Sequence, residues 1–354
     1  MADCDILVVG GGPAGALTAL LSARAGHDVI LVKQRGAAAA RPTEVMPPWC
    51  LHHLASHGLA LPEGALACRG LLSAWEDETP HFHDYELLGG GAGAAFTPAQ
   101  IEAQLHAQIA RSPVRQSEGH VSWSDDGPTA VELQLGRLQT WNISARFVVW
   151  AAGRSSRTGG MSQRRHYDKL VALTFPFATK RPTDCLVVEA TAEGWWYVPP
   201  ASTSTAQLVF LSDADLLPAG GAARSCFFRR IFGESPLVNE LAAEAPVFVE
   251  SAGCDARFSA SRPFTGMHRL SLGDAAVSLD PLSGSGLTNA LAAAAELVSH
   301  LDSAAGLAPK AACAAMEAWY NALLERETAI RHQTYLRAAH RFPGARFWLR
   351  RVPR

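Results

Sequence analysis

Asp5-Ile6-Leu7-Val8-Val9-Gly10-Gly11-Gly12-Pro13-Ala14-Gly15 begins as a short apolar run, breaks into glycines and continues into a helix-forming stretch. The G-x-G-x-x-G spacing gives each glycine a task. Gly10 permits the tight strand-to-helix turn, Gly12 lets backbone approach a pyrophosphate, and Gly15 lets the helix pack close to the strand. Pro13 and Ala14 fall in the first helical turn, whose free N–H groups and positive potential favour phosphate. The surroundings complete the unit: Ile6 to Val9 reads as a buried strand, and Leu17, Leu20 and Leu21 have helical spacing. Gly26-His27-Asp28 then precede a second apolar run, Val29 to Val32. This is a β-α-β unit suited to a nucleotide.

Which nucleotide it holds depends on sequence further along. At the end of the second strand a carboxylate normally holds the adenosine ribose, yet Lys33-Gln34-Arg35 stand there. Two cations would suit a ribose 2'-phosphate and so NADP. Against that reading stand Ser271-Leu272-Gly273-Asp274-Ala275-Ala276 and, just beyond, Asp280-Pro281-Leu282-Ser283-Gly284-Ser285-Gly286-Leu287.

Gly273-Asp274 together with Asp280-Pro281 through Gly286 resembles the second FAD fingerprint of flavoprotein monooxygenases and flavin-dependent halogenases. The resemblance implies that Asp274 binds ribityl or pyrophosphate oxygens and that the loop 280–287 lies beside the flavin ring. Gly284 and Gly286 allow backbone near a flat ring, and the helix starting near Leu287 would favour negative charge on reduced flavin. Ala145 through Ala152-Gly153-Arg154-Ser155-Ser156-Arg157 resembles the strand ending in an A-T-G-R-S-S turn in these enzymes. Gly194-Trp195-Trp196-Tyr197-Val198-Pro199 resembles a strand of their substrate sheet, and Tyr335-Leu336-Arg337 with Phe347-Trp348 resembles their C-terminal end. The chain is thus similar to the FAD-dependent monooxygenase and tryptophan-halogenase-like superfamily, nearest to flavoproteins that mature tryptophylquinone cofactors. The resemblance implies FAD as cofactor, with Gly10, Gly12, Pro13, Ala14, Gly15, Lys33, Gln34, Gln100, Val121, Gly153, Gly273, Asp274, Pro281, Gly284, Ser285, Gly286 and Leu287 around it.

Departures from the pattern narrow the reaction. The halogenases' W-x-W-x-I-P is absent because Trp195 and Trp196 are adjacent, and no equivalent of their catalytic lysine is found. The family's G-E-S segment appears as Thr43-Glu44-Val45, which keeps only the acid. Lys33 replaces the ribose-binding acid, and the Arg that relatives carry near the helix start at residue 97 is missing.

The expected fold is α/β: a Rossmann-like FAD-binding domain of the glutathione-reductase and p-hydroxybenzoate-hydroxylase type, with an inserted, mainly antiparallel substrate sheet and C-terminal helices. Residues 1–70, 97–160 and 259–305 are expected to form the FAD-binding domain, 71–96 and 161–258 the substrate domain, and 306–354 a helical segment. Thr97-Pro98-Ala99-Gln100 predicts a capping box, with Ile101, Leu105 and Ile109 on one helix face. Val121 to Trp123 and Val131 to Leu138 read as a hairpin leading to a strand at 146–151, and 309–341 as one or two helices. Gly89-Gly90-Gly91-Ala92-Gly93 reads as a mobile loop.

With 354 residues, 48% hydrophobic content and a net charge of −2, the chain can bury a large core and has no general attraction for nucleic acid. Its seven cysteines are scattered, odd in number and without metal-type spacing, which suggests a reduced cytoplasm and no metal. Neither a signal core nor an apolar run of membrane-spanning length is seen.

A flavin hydroxylase needs orientation and a dry pocket more than acid-base side chains, because the cofactor itself activates oxygen. Glu44 is the candidate catalytic or orienting carboxylate. His81 and His83 share one strand face, and Trp195, Trp196 and Tyr197 could stack on an aromatic substrate. The reading at this point is an FAD-dependent monooxygenase that forms a C4a-hydroperoxyflavin and hydroxylates an aromatic ring, an indole or a tryptophan, free or in a peptide or protein. A separate flavin reductase or an NAD(P)H donor would supply electrons. The alternatives are a C=C reductase or dehydrogenase, a halogenase-like enzyme, and a weakly flavin-binding maturation chaperone.

Overall fold

The computed structural model describes residues 3–33, 41–123, 130–135, 139–154, 162–248, 252–266, 268–303 and 306–352. Strand β1 (Cys4–Val9) lies at the centre of a parallel sheet between β2 (Val29–Lys33) and the strand Gln139–Trp150, with Arg115–Glu118 outside β2. Side chains alternate about this sheet. Ile6, Val8, Val29 and Leu31 join the core on the helical side, while Leu7, Val9, Ile30 and Val32 face the other way. Both faces are covered, so the strands read as unbroken apolar runs. Helix α1 (Pro13–Arg24) is buried almost all round, packed between this sheet and the helices Pro98–Ile109 and Gly286–Ser299.

The strand expected at 146–151 is longer than the sequence suggests. Gln139–Trp150 is one 12-residue strand; its first half pairs antiparallel with Ala130–Leu135, and its second half pairs parallel with β1. Arg269–Ser271 lies parallel on its other side and carries the second fingerprint to the same sheet end as the first. Val121, in the strand His120–Trp123, packs with Leu7, Val9 and Val131 in the core of this outer face.

The second large sheet has the order Ala252–Asp255, Leu170–Ala178, Thr205–Asp213, Gly194–Val198, Leu186–Thr191, Gly70–Ala74, His81–Asp84. It is antiparallel throughout except for the parallel pair Leu186–Thr191 and Gly70–Ala74. One face, including Phe175, Trp196 and Phe210, packs on the helices Gly221–Gly233 and Pro236–Leu241. The opposite face, with Trp195, Val209 and Leu211, meets the C-terminal helices.

A small sheet of Glu44–Met46, Gly93–Phe96 and Leu66–Cys68 joins the two halves. The glycine run therefore ends in a strand: Gly93 is buried, because a Cβ there would come 2.7 Å from the Met46 carbonyl. Residues 309–341 form one main helix, Pro309–Ala339, about 46 Å long at 1.5 Å per residue. Its first half supplies Ala312, Met316 and Tyr320 to the nucleotide-domain core, and its last turns supply Tyr335 and Ala338 to the substrate-sheet core. Among the described residues no helix is long and apolar enough to cross a membrane, and no cluster of acidic, His and Cys side chains could hold a metal.

Candidate active site

The first fingerprint is closed by backbone contact. Gly10 has φ +117°, and a Cβ on it would strike the Ala151 carbonyl; a Cβ on Gly15 would strike the Gly10 carbonyl. Helix α1 can therefore pack this close to the strand end only with glycine at both places. Gly273 brings in the second fingerprint: its φ is +60°, and a Cβ there would lie 2.8 Å from the Ala14 Cβ. The two motifs, about 260 residues apart in sequence, touch at the first turn of α1. The Tyr320 hydroxyl fixes the junction by accepting the Gly273 N–H at 2.8 Å.

Asp274 follows in a short 3-10 turn and is partly exposed. Its Oδ2 accepts from Arg154 Nε and Nη2, each at 3.1 Å. Arg154 follows the Gly153 turn (φ +79°) and also donates to the Asp255 carbonyl at 2.6 Å. Arg164 holds the backbone beneath, donating to the carbonyls of Asp274 and Ala275 at 2.8 Å.

The glycine loop is shaped by Asp280, which accepts the Leu282 N–H at 3.0 Å and the Arg331 guanidinium at 2.8 Å. Gly284 adopts the left-handed conformation (φ +58°) and leads through Ser285 to the helix Gly286–Ser299. The Ser285 hydroxyl donates to Glu327 at 3.2 Å and pairs with the Ser283 hydroxyl at 2.7 Å. A Cβ on Gly153, Gly284 or Gly286 would meet nothing within 4 Å. Bare backbone thus runs between two helix N-termini, a surface that fits a pyrophosphate at one end and a flat ring at the other. Gly10, Gly12, Pro13, Ala14, Gly15, Gly273, Asp274, Pro281, Ser285 and Leu287 all lie on these turns.

Glu44 begins the strand beside Phe96. Its neighbour Thr43 donates N–H and hydroxyl to Gln207 Oε1, at 3.0 and 3.2 Å, which ties this strand to the substrate sheet. Gln207 and Val209 share a strand face, and Tyr197 is the cross-strand partner of Val209. Glu44 is partly buried, and its carboxylate accepts no hydrogen bond from a described residue. Burial, then the nearby Asp274 charge, raises its pKa above the usual carboxylate value; Arg41 and Arg154 pull the other way. The Tyr197 phenol is held well above its usual pKa, first by burial and then by Glu44. Glu44 and Cys254 thus lie near enough to the Tyr197 phenol for their charges to act on it.

Other expected site residues lie elsewhere. Trp196 is fully buried in the far-face core, and its indole N–H donates to the Ser235 hydroxyl at 3.0 Å, so period-two alternation turns it away from the site. Trp195, on the correct face, is also packed core, 6.0 Å from the Trp75 ring and 6.0 Å from Tyr197. His81 and His83 lie exposed on the edge strand, and His81 meets Asp77 at 3.3 Å. Gln100 closes the helix cap, accepting the Thr97 N–H at 2.7 Å, and Val121 is core. The Lys33 stem crosses Gly11, where a Cβ would lie 2.9 Å from its Cγ. Gln34 lies outside the described residues. The sequence reading gave no site role to Arg154, Arg164, Glu327, Arg331 or His106; Arg154 stood in the quoted 145–157 stretch, and the arginines spaced along 326–337 were the one available signal for the helix residues among them.

A cleft of about 680 Å³ lies at another place, lined by Leu72, Phe82, Arg181 and Asp184 among others, and none of the residues above line it. A much smaller one, about 10 Å³, is bounded by Gly273, Asp274, Gly286 and Tyr320. The second lies between the two glycine motifs, against the Gly273–Asp274 turn and the start of the helix Gly286–Ser299.

The FAD binding domain family model matches residues 3–311. The chain belongs to that family. FAD is its cofactor, and it is a flavin-dependent oxidoreductase. Similar solved structures include a peptidyl tryptophan dihydroxylase, QhpG, essential for tryptophylquinone cofactor biogenesis (24% identity, TM-score 0.79, covering 99% of this chain and 79% of that one). The flavin-dependent halogenase CmlS has 19% identity and TM-score 0.81, covering 100% and 68%. PqsL from Pseudomonas aeruginosa, solved with 2-aminobenzoylacetate, has 21% identity and TM-score 0.75, covering 97% and 99%. No curated protein matches the sequence.

Proposed function

We propose that the protein hydroxylates an electron-rich aromatic ring, an indole borne by a small molecule or a peptide, with electrons delivered by a separate reductase or a nicotinamide donor. Reduced FAD supplies the oxygen activation when bound. The chain's own residues hold the cofactor between Asp274 and the loop 280–287, keep water from the far side of the pocket and orient the ring. The observation that carries this reading is the partly buried Glu44 carboxylate, which meets no hydrogen-bond partner among the described residues and lies near Asp274 and Tyr197. A partly desolvated carboxylate with no donor is unfavourable, and a ligand N–H that donates to it relieves that cost. An indole carries such an N–H.

Halogenation has less support. The four lysines of the chain are Lys33, Lys169, Lys180 and Lys310. Lys169 is paired with Asp215 at 2.8 Å on the surface, Lys180 and Lys310 are exposed, and Lys33 lies at the nucleotide loop. None stands beside Glu44 to carry an electrophilic halogen. Similarity to QhpG favours a tryptophan inside a peptide.

The test supplies reduced FAD and oxygen with free indoles and with tryptophan peptides, and reads product mass. A gain of one or two oxygen atoms, lost in Gly284→Val, supports the reading. Binding of substrates without oxygenation by a flavin-loaded protein would favour a maturation chaperone; two added hydrogens would favour a C=C reductase.

A further inference from the structure

On the helix Pro98–Ile109, Glu102 and His106 are one turn apart and share a face. That face is turned to the nucleotide loop. A Cβ on Gly12 would lie 3.9 Å from Glu102 Oε1; one on Gly11 would lie 3.3 Å from His106 Cε1, 3.5 Å from Nε2 and 2.9 Å from Lys33 Cγ. Gly11 is thus flanked by an imidazole and a lysine stem at the end where the family's ribose carboxylate is absent.

Two features of this arrangement point to an anion. His106 Nδ1 is buried without a partner among the described residues, an arrangement that costs stability unless a ligand or ordered group answers it. The acid on the same face, Glu102, is already neutralised by Arg41 at 2.6 Å. The charges facing His106 are therefore Lys33 on β2, and Glu102 with Arg41 behind it. Burial and then Lys33 hold the imidazole pKa below its usual value, while the Gly11 backbone and Glu102 act weakly the other way.

We propose that Lys33 and His106 form a cationic clamp on the FAD phosphates, opposite the first turn of α1, and that His106 takes up a proton as FAD binds. The clamp takes the place of the hydrogen bonds that a ribose carboxylate would have made. Phosphate charge opposes the effect of Lys33, so the bound imidazole titrates at higher pH than the free one. Between those two pKa values only the bound state is protonated, and affinity falls by up to about tenfold per pH unit as pH rises.

The experiment titrates the full-length apo-protein with FAD from pH 5.5 to 8.5 by flavin fluorescence, with riboflavin as the phosphate-free probe. Calorimetry in two buffers of different ionisation enthalpy counts protons. The expected result is FAD affinity weaker by about fivefold or more at pH 8 than at pH 6, net proton uptake, and riboflavin affinity indifferent to pH. His106→Gln should flatten the FAD profile, and Lys33→Met should weaken FAD at every pH. An unchanged slope in His106→Gln, an equal slope with riboflavin, or binding without proton uptake would overturn the proposal. The proton count on the unmodified protein decides even where a variant fails to fold.

Discussion

Arg331 Nε donates to Asp280 Oδ2 at 2.8 Å, while the other arm of the same guanidinium reaches Asp168 at 2.8 Å. All three side chains are buried or nearly so. The Tyr335 hydroxyl, one turn further along the helix, donates to the same Asp280 carboxylate at 3.1 Å. The long C-terminal helix thus pins the head of the flavin loop and, through Asp168, the start of the strand Leu170–Ala178.

Arg331→Met should destabilise the protein by about 3 to 5 kcal/mol, because it leaves two buried carboxylates without their cation. Urea unfolding followed by circular dichroism measures this. A loss under 1 kcal/mol would mean that Tyr335 and backbone donors suffice.

Asp168 titrates at about 6, raised first by burial and then by Asp280, against Arg331. Its folded pKa lies above its unfolded value, so its contribution is full below pH 4 and is lost as pH rises through about 6. Asp168→Asn should therefore flatten the pH dependence of stability between pH 4 and 6.5. Thermal melts across that window would show an unchanged slope if another group is responsible.

Asp274→Ala should weaken FAD binding by about 1.5 to 3 kcal/mol through lost charge-assisted hydrogen bonds, and it frees Arg154. Fluorescence titration of the apo-protein is the measurement. An unaltered dissociation constant would confine Asp274 to holding Arg154.

Glu44→Gln should keep FAD bound and lower turnover by about a hundredfold. Because the folded pKa of Glu44 is raised, the ionised form is lost on acidification sooner than for an ordinary carboxylate, and activity should fall on the acid side. That acid limb should vanish in Glu44→Gln; its persistence would assign it elsewhere.

Trp196→Ala should cost about 3 to 5 kcal/mol as a core cavity, whereas Tyr197→Phe should leave stability nearly intact and change substrate affinity. Equal effects on stability would show that both aromatics are core. Melting curves paired with substrate binding separate the two cases.

The nucleotide unit was legible in the chain alone because its signals are local. A strand period, glycines at fixed offsets and a helix start all lie within the first turns, and the capping box at Thr97 is equally short in range. The second fingerprint was readable for the same reason. Packing decided the rest. Adjacent Trp195 and Trp196 are indistinguishable in sequence, yet the pleat places them on opposite faces, and only the partner helices determine which face is core. His81 and His83 alternate as a strand should, but the sheet order leaves that strand at the edge. Lys33 appeared to replace a ribose ligand, and only the approach of the helix bearing His106 shows that its stem crosses Gly11. Asp280, Arg331 and Asp168 are separated by 51 and 163 residues along the chain, and no local period encodes such a meeting. Short-range order is written in neighbouring residues; which charges become buried together depends on long-range burial, and that exists only once the sheets and the final helix have closed on one another.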